Sequence, residues 1–558
     1  MWLLLSALLP LAFGGPVVET PYGKVEGFDY EISNGDKANI FLGIPYAQPP
    51  VGNLRFEKTV PIAKWDDVKQ AKEFGNLCFQ QTVRKDMSGP GEYSEDCLFM
   101  NIMAPSKKSA DPEGYPVIIF IHGGGFELGG SNLYGYKNIS ENYVSEGVVY
   151  ITLNYRLSAF GFFSTGDEVI RGNLGYWDQT AALKFIQEVI ASFGGNPNKV
   201  TVTGESAGGG SSSALTMSPH SNKLFQQAIA YSGSQYANFV NYSQVVNASL
   251  DLARSLGCFG KSIQIKDCMK KKTAEEIRAM IAEIGASRDE FNSIKFNPTV
   301  DGDFLRAPGD ELIKDAPKIP FITGLTDTEG GFCAFYDVPE MLLSYIPREK
   351  WPTYSTEDFV KYLKTKMITL DYGNKKETLI TKLIDHYVPT GANVTSLDYL
   401  TRYAELFTDL YFGLPPYLEA QDKAAADIPV YLYKEDYHNP KLVENLPVKG
   451  AYHGYEIMYL MGPSIYGDIE FTDDDKAFQK ALLSAFISFA KTGKPVASGK
   501  IWEPVTKEHP NRYMSFSPNS EMKDDFLKRA VDFWVHDVMK TVDIDMLRET
   551  ILPGARRT

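Results

Sequence analysis

Beyond residue 13 the chain has no apolar run long enough to cross a bilayer, so no membrane-spanning helix is expected there. It is also short of positive charge, with 56 Lys and Arg against 70 Asp and Glu, a net charge of −14. Phosphate backbones are held by clustered Lys and Arg, so nucleic acid is not an expected partner, and an anionic membrane surface would repel the chain. Lys270-Lys271-Lys272 reads as a solvated helix end rather than a binding patch. Histidine and cysteine are scarce, at 7 and 5 residues, and no His/Cys/Asp cluster has metal-ligand spacing, so neither a metal nor another cofactor is expected. Internal repeats, low-complexity tracts and Pro/Ser-rich linkers are absent as well. Residues 16–558 therefore read as a single domain, although 558 residues would accommodate several.

What is present begins with an apolar N-terminus. Met1 to Phe13 leads into Gly14-Gly15-Pro16, which has the length of a signal-peptide core without its usual basic start. Residues 1–15 are assigned to a signal peptide, and the protein to the secretory pathway, extracellular or lumenal. Sequons at Asn138, Asn241, Asn247 and Asn393 fit that route as glycosylation sites. So do the cysteines. They fall as Cys78 with Cys97 and Cys258 with Cys268, leaving Cys333 alone, and two short-loop disulfides suit an oxidising compartment.

The middle of the chain carries strands that are apolar on both faces, as at Pro116–Ile121 and Val148–Leu153. Further strands are expected at 98–103, 199–203, 227–231, 319–323 and 429–433, with a helix at Ala181–Ile190. Strands alternating with helical stretches predict an α/β fold with a large, mostly parallel central sheet covered by helices. In such sheets chemistry gathers at the carboxyl ends of the strands.

The stretch that fits this rule best is Gly204-Glu205-Ser206-Ala207-Gly208. It follows the alternating run Lys199-Val200-Thr201-Val202-Thr203 and precedes a Gly- and Ser-rich stretch that opens a helix. Strand, sharp turn and helix are the setting in which G-x-S-x-G presents a nucleophilic serine. Side chains at Gly204 or Gly208 would collide with the neighbouring strand or helix. His122-Gly123-Gly124-Gly125 directly follows the strand ending at Ile121, where backbone N–H groups can face a cavity. Gly124, Gly125 and Ala207 are the candidate donors to a developing oxyanion.

An acid and a histidine should follow in chain order. Asp327 and Glu329 both qualify by position after the strand at 319–323, with Glu329 favoured by its adjacent glycines. Five histidines lie farther on. His386 and His536 sit in helix-like stretches, His509 has no such context, and His438 and His453 remain, with His453 ahead in its glycine-flanked loop.

Taken together these residues resemble the type-B carboxylesterase/cholinesterase family of α/β hydrolases, over nearly the whole mature chain. Gly43-Ile44-Pro45-Tyr46-Ala47, Ser94-Glu95-Asp96-Cys97-Leu98, Asn154-Tyr155-Arg156-Leu157 and Gly172-Asn173-Leu174-Gly175 with Asp178-Gln179 match in order, as does Phe193-Gly194-Gly195-Asn196-Pro197. The resemblance implies the α/β-hydrolase fold and a triad of Ser206, Glu329 and His453. It also implies supporting roles for Glu205 and Ser232 and the same two disulfides. Thr326 stands where the family usually has asparagine, and Tyr455 where an acidic residue is common. Cholinesterases place a tryptophan between the first cysteine pair to face a quaternary ammonium. Cys78 to Cys97 holds Phe79 and Tyr93 and no tryptophan, so neutral carboxylic esters are expected rather than choline esters. The alternative, an adhesion protein of the same family, lacks the catalytic serine that this chain keeps. Relatives also suggest a homodimer through the amphipathic stretch 524–542, although packing on its own domain is the simpler expectation.

Overall fold

The computed structural model describes residues 15–80, 85–237, 244–285, 287, 291, 294–337, 344–370, 372–547 and 550–551. Residues 1–14 of the expected signal segment and Asn241 lie outside them. The dominant element is an eleven-stranded sheet. Its strands are β1 (Phe28–Glu31), β2 (Lys37–Pro45), β3 (Phe99–Pro105), β4 (Tyr115–Ile121), β5 (Val149–Leu153) and β6 (Gly195–Glu205). They continue with β7 (Gln227–Tyr231), β8 (Phe321–Thr326), β9 (Val430–Glu435), β10 (Tyr513–Phe516) and β11 (Glu521–Lys523). The spatial order is β11-β10-β9-β8-β7-β6-β4-β5-β3-β2-β1. From β5 across to β10 every pairing is parallel, while both edges are antiparallel. This is the α/β-hydrolase architecture.

Helices cover the sheet on both faces, which is why its central strands are apolar throughout. The helices that position the site are α1 (Leu174–Val189), α2 (Ala207–Met217), α3 (Gly330–Phe335), α4 (Ser396–Phe407), α5 (Leu414–Ala425), α6 (Glu456–Met461) and α7 (Asp473–Thr492). Helix α7 shows the sequence logic plainly. Thr472 caps it in a reciprocal box with Asp475, and Gly493 ends it in the left-handed region at φ 72°. Phe478, Leu482, Ala485, Phe486 and Phe489 recur at helical spacing and are buried. They pack against the sheet through the contacts Tyr231–Phe486, Tyr431–Phe489 and Phe486–Phe516. Each such phenylalanine contributes about 1.5–3 kcal/mol.

Several boundaries shift from the sequence reading, and for two of them the cause is visible. Helix α1 begins at Leu174 rather than Ala181, because tertiary contacts hold its first turn. Asn173 Nδ2 donates to the Thr299 carbonyl at 2.7 Å, and the Thr299 N–H donates back to Asn173 Oδ1 at 3.0 Å. Strand β8 starts at Phe321 and runs on to Thr326, since Pro320 has a carbonyl for Ala228 N–H but no N–H of its own. That extension brings Glu329 to the carboxyl edge of the sheet.

Disulfides join Cys78 to Cys97 and Cys258 to Cys268, and Cys333 is a buried free thiol. Asn138, Asn247 and Asn393 are all exposed. The segment 528–542 packs on its own chain, with Trp534 buried and its indole N–H donating to Tyr387 Oη at 2.7 Å.

Candidate active site

Ser206 sits between the end of β6 and the start of α2 with φ 58° and ψ −121°. A side chain in that region costs about 1–3 kcal/mol, so the surroundings must impose it. They do so from both sides. The Ser206 N–H donates to the Tyr231 carbonyl of β7 at 2.9 Å, and the Ser206 carbonyl accepts from Gly210 N–H at 2.9 Å. The glycines around it are sterically required. A Cβ on Gly204 would lie 2.2 Å from the Gly208 carbonyl oxygen, and one on Gly208 would lie 2.0 Å from that of Ile121.

The His122–Gly125 loop leaves β4, which pairs with β6 so that Ile121 stands opposite Gly204. Gly124 has φ 103° and its carbonyl accepts from Glu127 and Leu128, which turns the loop tightly. Ala207 is the first residue of α2, where backbone N–H groups have no partner within the helix. Among the described residues no acceptor takes the N–H of Gly124, Gly125 or Ala207. His122 is a contributor that motif reading passed over. Its buried ring stacks on Tyr155 at 4.5 Å, and its Nδ1 lies 2.8 Å from the Gly123 carbonyl. Only a protonated Nδ1 can donate there. Burial lowers the His122 pKa to about 4, so the ring is neutral and its tautomer follows from the hydrogen bond.

Glu329 immediately precedes α3 and is fully buried. Oε1 accepts from Ser232 Oγ at 2.5 Å and from Thr326 N–H at 2.7 Å, while Oε2 lies 2.6 Å from His453 Nδ1. The main chain of Thr326 performs this, so the usual asparagine side chain is not required for it. Asp327, the competing acid, accepts instead from the Ala451 N–H at 2.7 Å. His438 lies half-buried in the loop after β9, whereas His453 lies on the pocket wall.

His453 is nearly enclosed. Phe412 and Phe332 flank its ring at centroid distances of 4.3 and 5.5 Å, and Tyr466 Oη donates to its carbonyl at 2.6 Å. Nε2 lies 3.1 Å from Glu205 Oε1. Burial disfavours the imidazolium, but Glu205 and Glu329 outweigh it and raise the His453 pKa to about 9. Burial in turn pushes the Glu205 carboxyl upward, against the pull of the His453 charge. Tyr455 stands with its hydroxyl accepting from the Asn439 N–H.

Glu205, Ser206 and His453 open on one pocket of about 110 Å³, together with Gly123 and Gly124. Its remaining walls are mainly apolar, among them Leu128, Leu133, Phe332, Ile457 and Ile465. Phe79 lies elsewhere, stacked on Phe160 at 5.7 Å.

Comparison with known proteins shows the family of the chain. A sequence model described as "Carboxylesterase family" matches residues 14–534. The chain is 35% identical over 548 residues to "Gut esterase 1" of Caenorhabditis briggsae, covering 96% of this chain and 95% of that protein. It is 32% identical to "Carboxylesterase 1E" of Mus musculus, with 94% of each chain covered. Against "Liver carboxylesterase" of Sus scrofa it is 30% identical, with 96% of each covered.

Proposed function

Because the chain belongs to the carboxylesterase family and is a carboxylic ester hydrolase, we propose that it works by acyl transfer through Ser206. The observation that carries this reading is the buried Glu329–His453 contact of 2.6 Å beside a serine held in a strained turn. Ser206 Oγ attacks the ester carbonyl while His453 Nε2 accepts its proton. Glu329 holds Nδ1 protonated and stabilises the imidazolium. The N–H groups of Gly124, Gly125 and Ala207 hold the oxyanion. Collapse returns the proton to the departing alcohol, and water activated by His453 then releases the carboxylate. In the resting geometry Nε2 faces Glu205, so Glu205 must yield that nitrogen to the serine proton. No cofactor enters the cycle.

The apolar pocket walls favour neutral carboxylic esters. Among the described residues no tryptophan lines the pocket, and Phe79 stacks away from it, which argues against choline esters. The two disulfides and three exposed sequon asparagines support a secretory route with glycosylation at those sites, and the one eleven-stranded sheet, with strands spread from Phe28 to Lys523, supports residues 16–558 as a single domain. Covalent labelling with a fluorophosphonate tests the enzyme against the adhesion reading. Label should map to Ser206, and Ser206→Ala should lose both label and hydrolysis of a chromogenic ester. Turnover retained in that variant would reject the assignment.

A further inference from the structure

Helix α5 carries a carboxylate that the proposed chemistry does not use. Glu419 is fully buried and takes no part in lining the pocket. Its two oxygens are instead taken by hydroxyls from two different elements. Ser213 Oγ of α2 donates to Oε1 at 2.7 Å, and Ser234 Oγ, in the turn after β7, donates to Oε2 at 2.5 Å. Each hydroxyl also accepts a backbone N–H at 3.0 Å, from Gln235 at Ser213 and from Tyr236 at Ser234. A hydroxyl has one proton to give, so each of these needs an acceptor that donates nothing in return. An ionised carboxylate meets that need twice, whereas an amide would turn its NH₂ toward one of the two.

Lys423, one turn later on α5, supplies the opposite charge. Its Nζ lies 3.4 Å from Glu419 Oε1, 3.1 Å from Thr216 Oγ1 of α2 and 4.2 Å from the centroid of the Phe321 ring. Both side chains are closed to solvent. Apolar residues in place of such a pair are often neutral or better for stability, so burial alone gives no reason for charge here.

The two elements that Glu419 joins carry different parts of the site. Ser206 caps α2, and Ser213 lies about two turns beyond it on the same helix. In the turn after β7, Ser232 sits at φ 48° and donates to Glu329 Oε1, which in turn leaves Oε2 for His453. Between Ser232 and Ser234 the backbone touches the elbow directly, since a Cβ on Gly233 would lie 2.1 Å from the Ser206 carbonyl oxygen. Slack between α2 and this turn would therefore move Ser206 relative to Glu329.

We propose that Glu419 is a positioning residue that locks α2 to the turn after β7, so that Ser206 and the Glu329–His453 pair keep one spacing. The inference rests on the roles proposed above for those three residues. Glu419 acts through Ser213 on one arm of the site and through Ser234 on the other. Lys423 keeps the shared carboxylate ionised in a place that water does not reach.

Three variants test the lock without leaving a buried charge unpaired: Ser213→Ala, Ser234→Ala and the double variant Glu419→Gln/Lys423→Met. A displacement of about 1 Å can cost about 10²-fold in rate, so kcat per folded molecule should fall about tenfold in each. KM for a neutral ester should change less than about twofold, because the loss falls on the transition state. Ser213→Ala combined with Ser234→Ala should cost little more than either alone, since each opens the same lock. Wild-type kcat in the folded variants, even with lowered melting midpoints, would overturn the proposal and leave Glu419 a purely structural group. Should the Glu419→Gln/Lys423→Met protein fail to fold, the two serine variants decide by the same criterion. Failure of the mechanism itself shows separately, as turnover retained in Ser206→Ala. Denaturant melts of the two serine variants and their combination report the lock whichever residue is the nucleophile, and additive losses there would show that no lock exists.

Discussion

His453 Nε2 lies 3.1 Å from Glu205 Oε1, so the imidazole rests between two carboxylates rather than against one. This places the proposed proton acceptor next to a group that competes with Ser206 for it. It also makes the imidazolium unusually stable, because burial is outweighed by Glu205 and Glu329, and the His453 pKa rises from 6.5 to about 9.

The proposed mechanism requires neutral His453, so kcat/KM should climb with pH along a limb displaced upward from the ordinary imidazole value. Glu205→Gln removes one of the two carboxylates and should move that limb down by about one to two pH units. Stability follows the same sign. A raised imidazole pKa contributes stability that is present below about pH 6.5 and lost as pH rises through about 9. The raised Glu205 carboxyl likewise loses stability upward in pH. Glu205→Gln should therefore flatten the decline in thermal midpoint across that window. A pH profile of kcat/KM that coincides with the wild type would contradict the role given to Glu205.

The His122 ring predicts a different signature. Its Nδ1–H bond to the Gly123 carbonyl fixes the peptide whose other end is the Gly124 N–H. His122→Phe should let that peptide turn and weaken one oxyanion donor. Loss of a whole donor costs about 10²–10³-fold in kcat, so a decrease of about 10–100-fold is expected with KM little changed. Affinity for a trifluoromethyl ketone, which forms the oxyanion adduct, should fall in parallel. His122→Asn, which can present an amide N–H near the same point, should recover part of the loss. A change in KM alone would point to pocket packing instead.

Several parts of this site were legible in the sequence for identifiable reasons. The apolar runs that became β4, β5, β7 and β9 declared themselves because strands buried on both faces need no alternation. Gly204 and Gly208 were readable because a backbone oxygen occupies the space of each missing Cβ. Choosing Glu329 over Asp327 was a different problem. The two differ by their partners, Ser232 and His453 on one side and Ala451 N–H on the other, and those partners lie far away in the chain. Resemblance supplied what local pattern did not. The support that Glu205 gives His453 was reached only through the resemblance, and the His122 bond escaped notice, because neither follows from a spacing rule; both arise where parallel strand ends converge.

Two of the matching sequence stretches meet in one buried ion pair, and this gives the last prediction. Arg156 Nε and Nη2 each reach an oxygen of Asp178 at 2.8 Å, and the Arg156 backbone N–H donates to Asp178 Oδ2 at 3.0 Å. Thr59 Oγ1 adds a bond of 2.5 Å to Asp178, and Arg156 Nη1 donates to the Glu57 carbonyl at 2.9 Å. Both side chains are almost entirely inaccessible, at 4% and 0% exposure, so water cannot replace a missing partner. Arg156→Ala should then strand a buried carboxylate and lower the apparent unfolding free energy by about 3–5 kcal/mol. The effect should reach the elbow. Gln179, next to Asp178 on α1, donates to Ser211 Oγ on α2 at 3.0 Å, and Tyr155, next to Arg156, donates its hydroxyl to the His122 carbonyl at 2.9 Å. Denaturant melts of Arg156→Ala, Asp178→Leu and the double variant would measure the coupling. The double variant should lose less than the sum of the singles, because it leaves no charge behind. Additive losses would mean that the two residues stabilise the chain separately and that the pair is not what ties these stretches together.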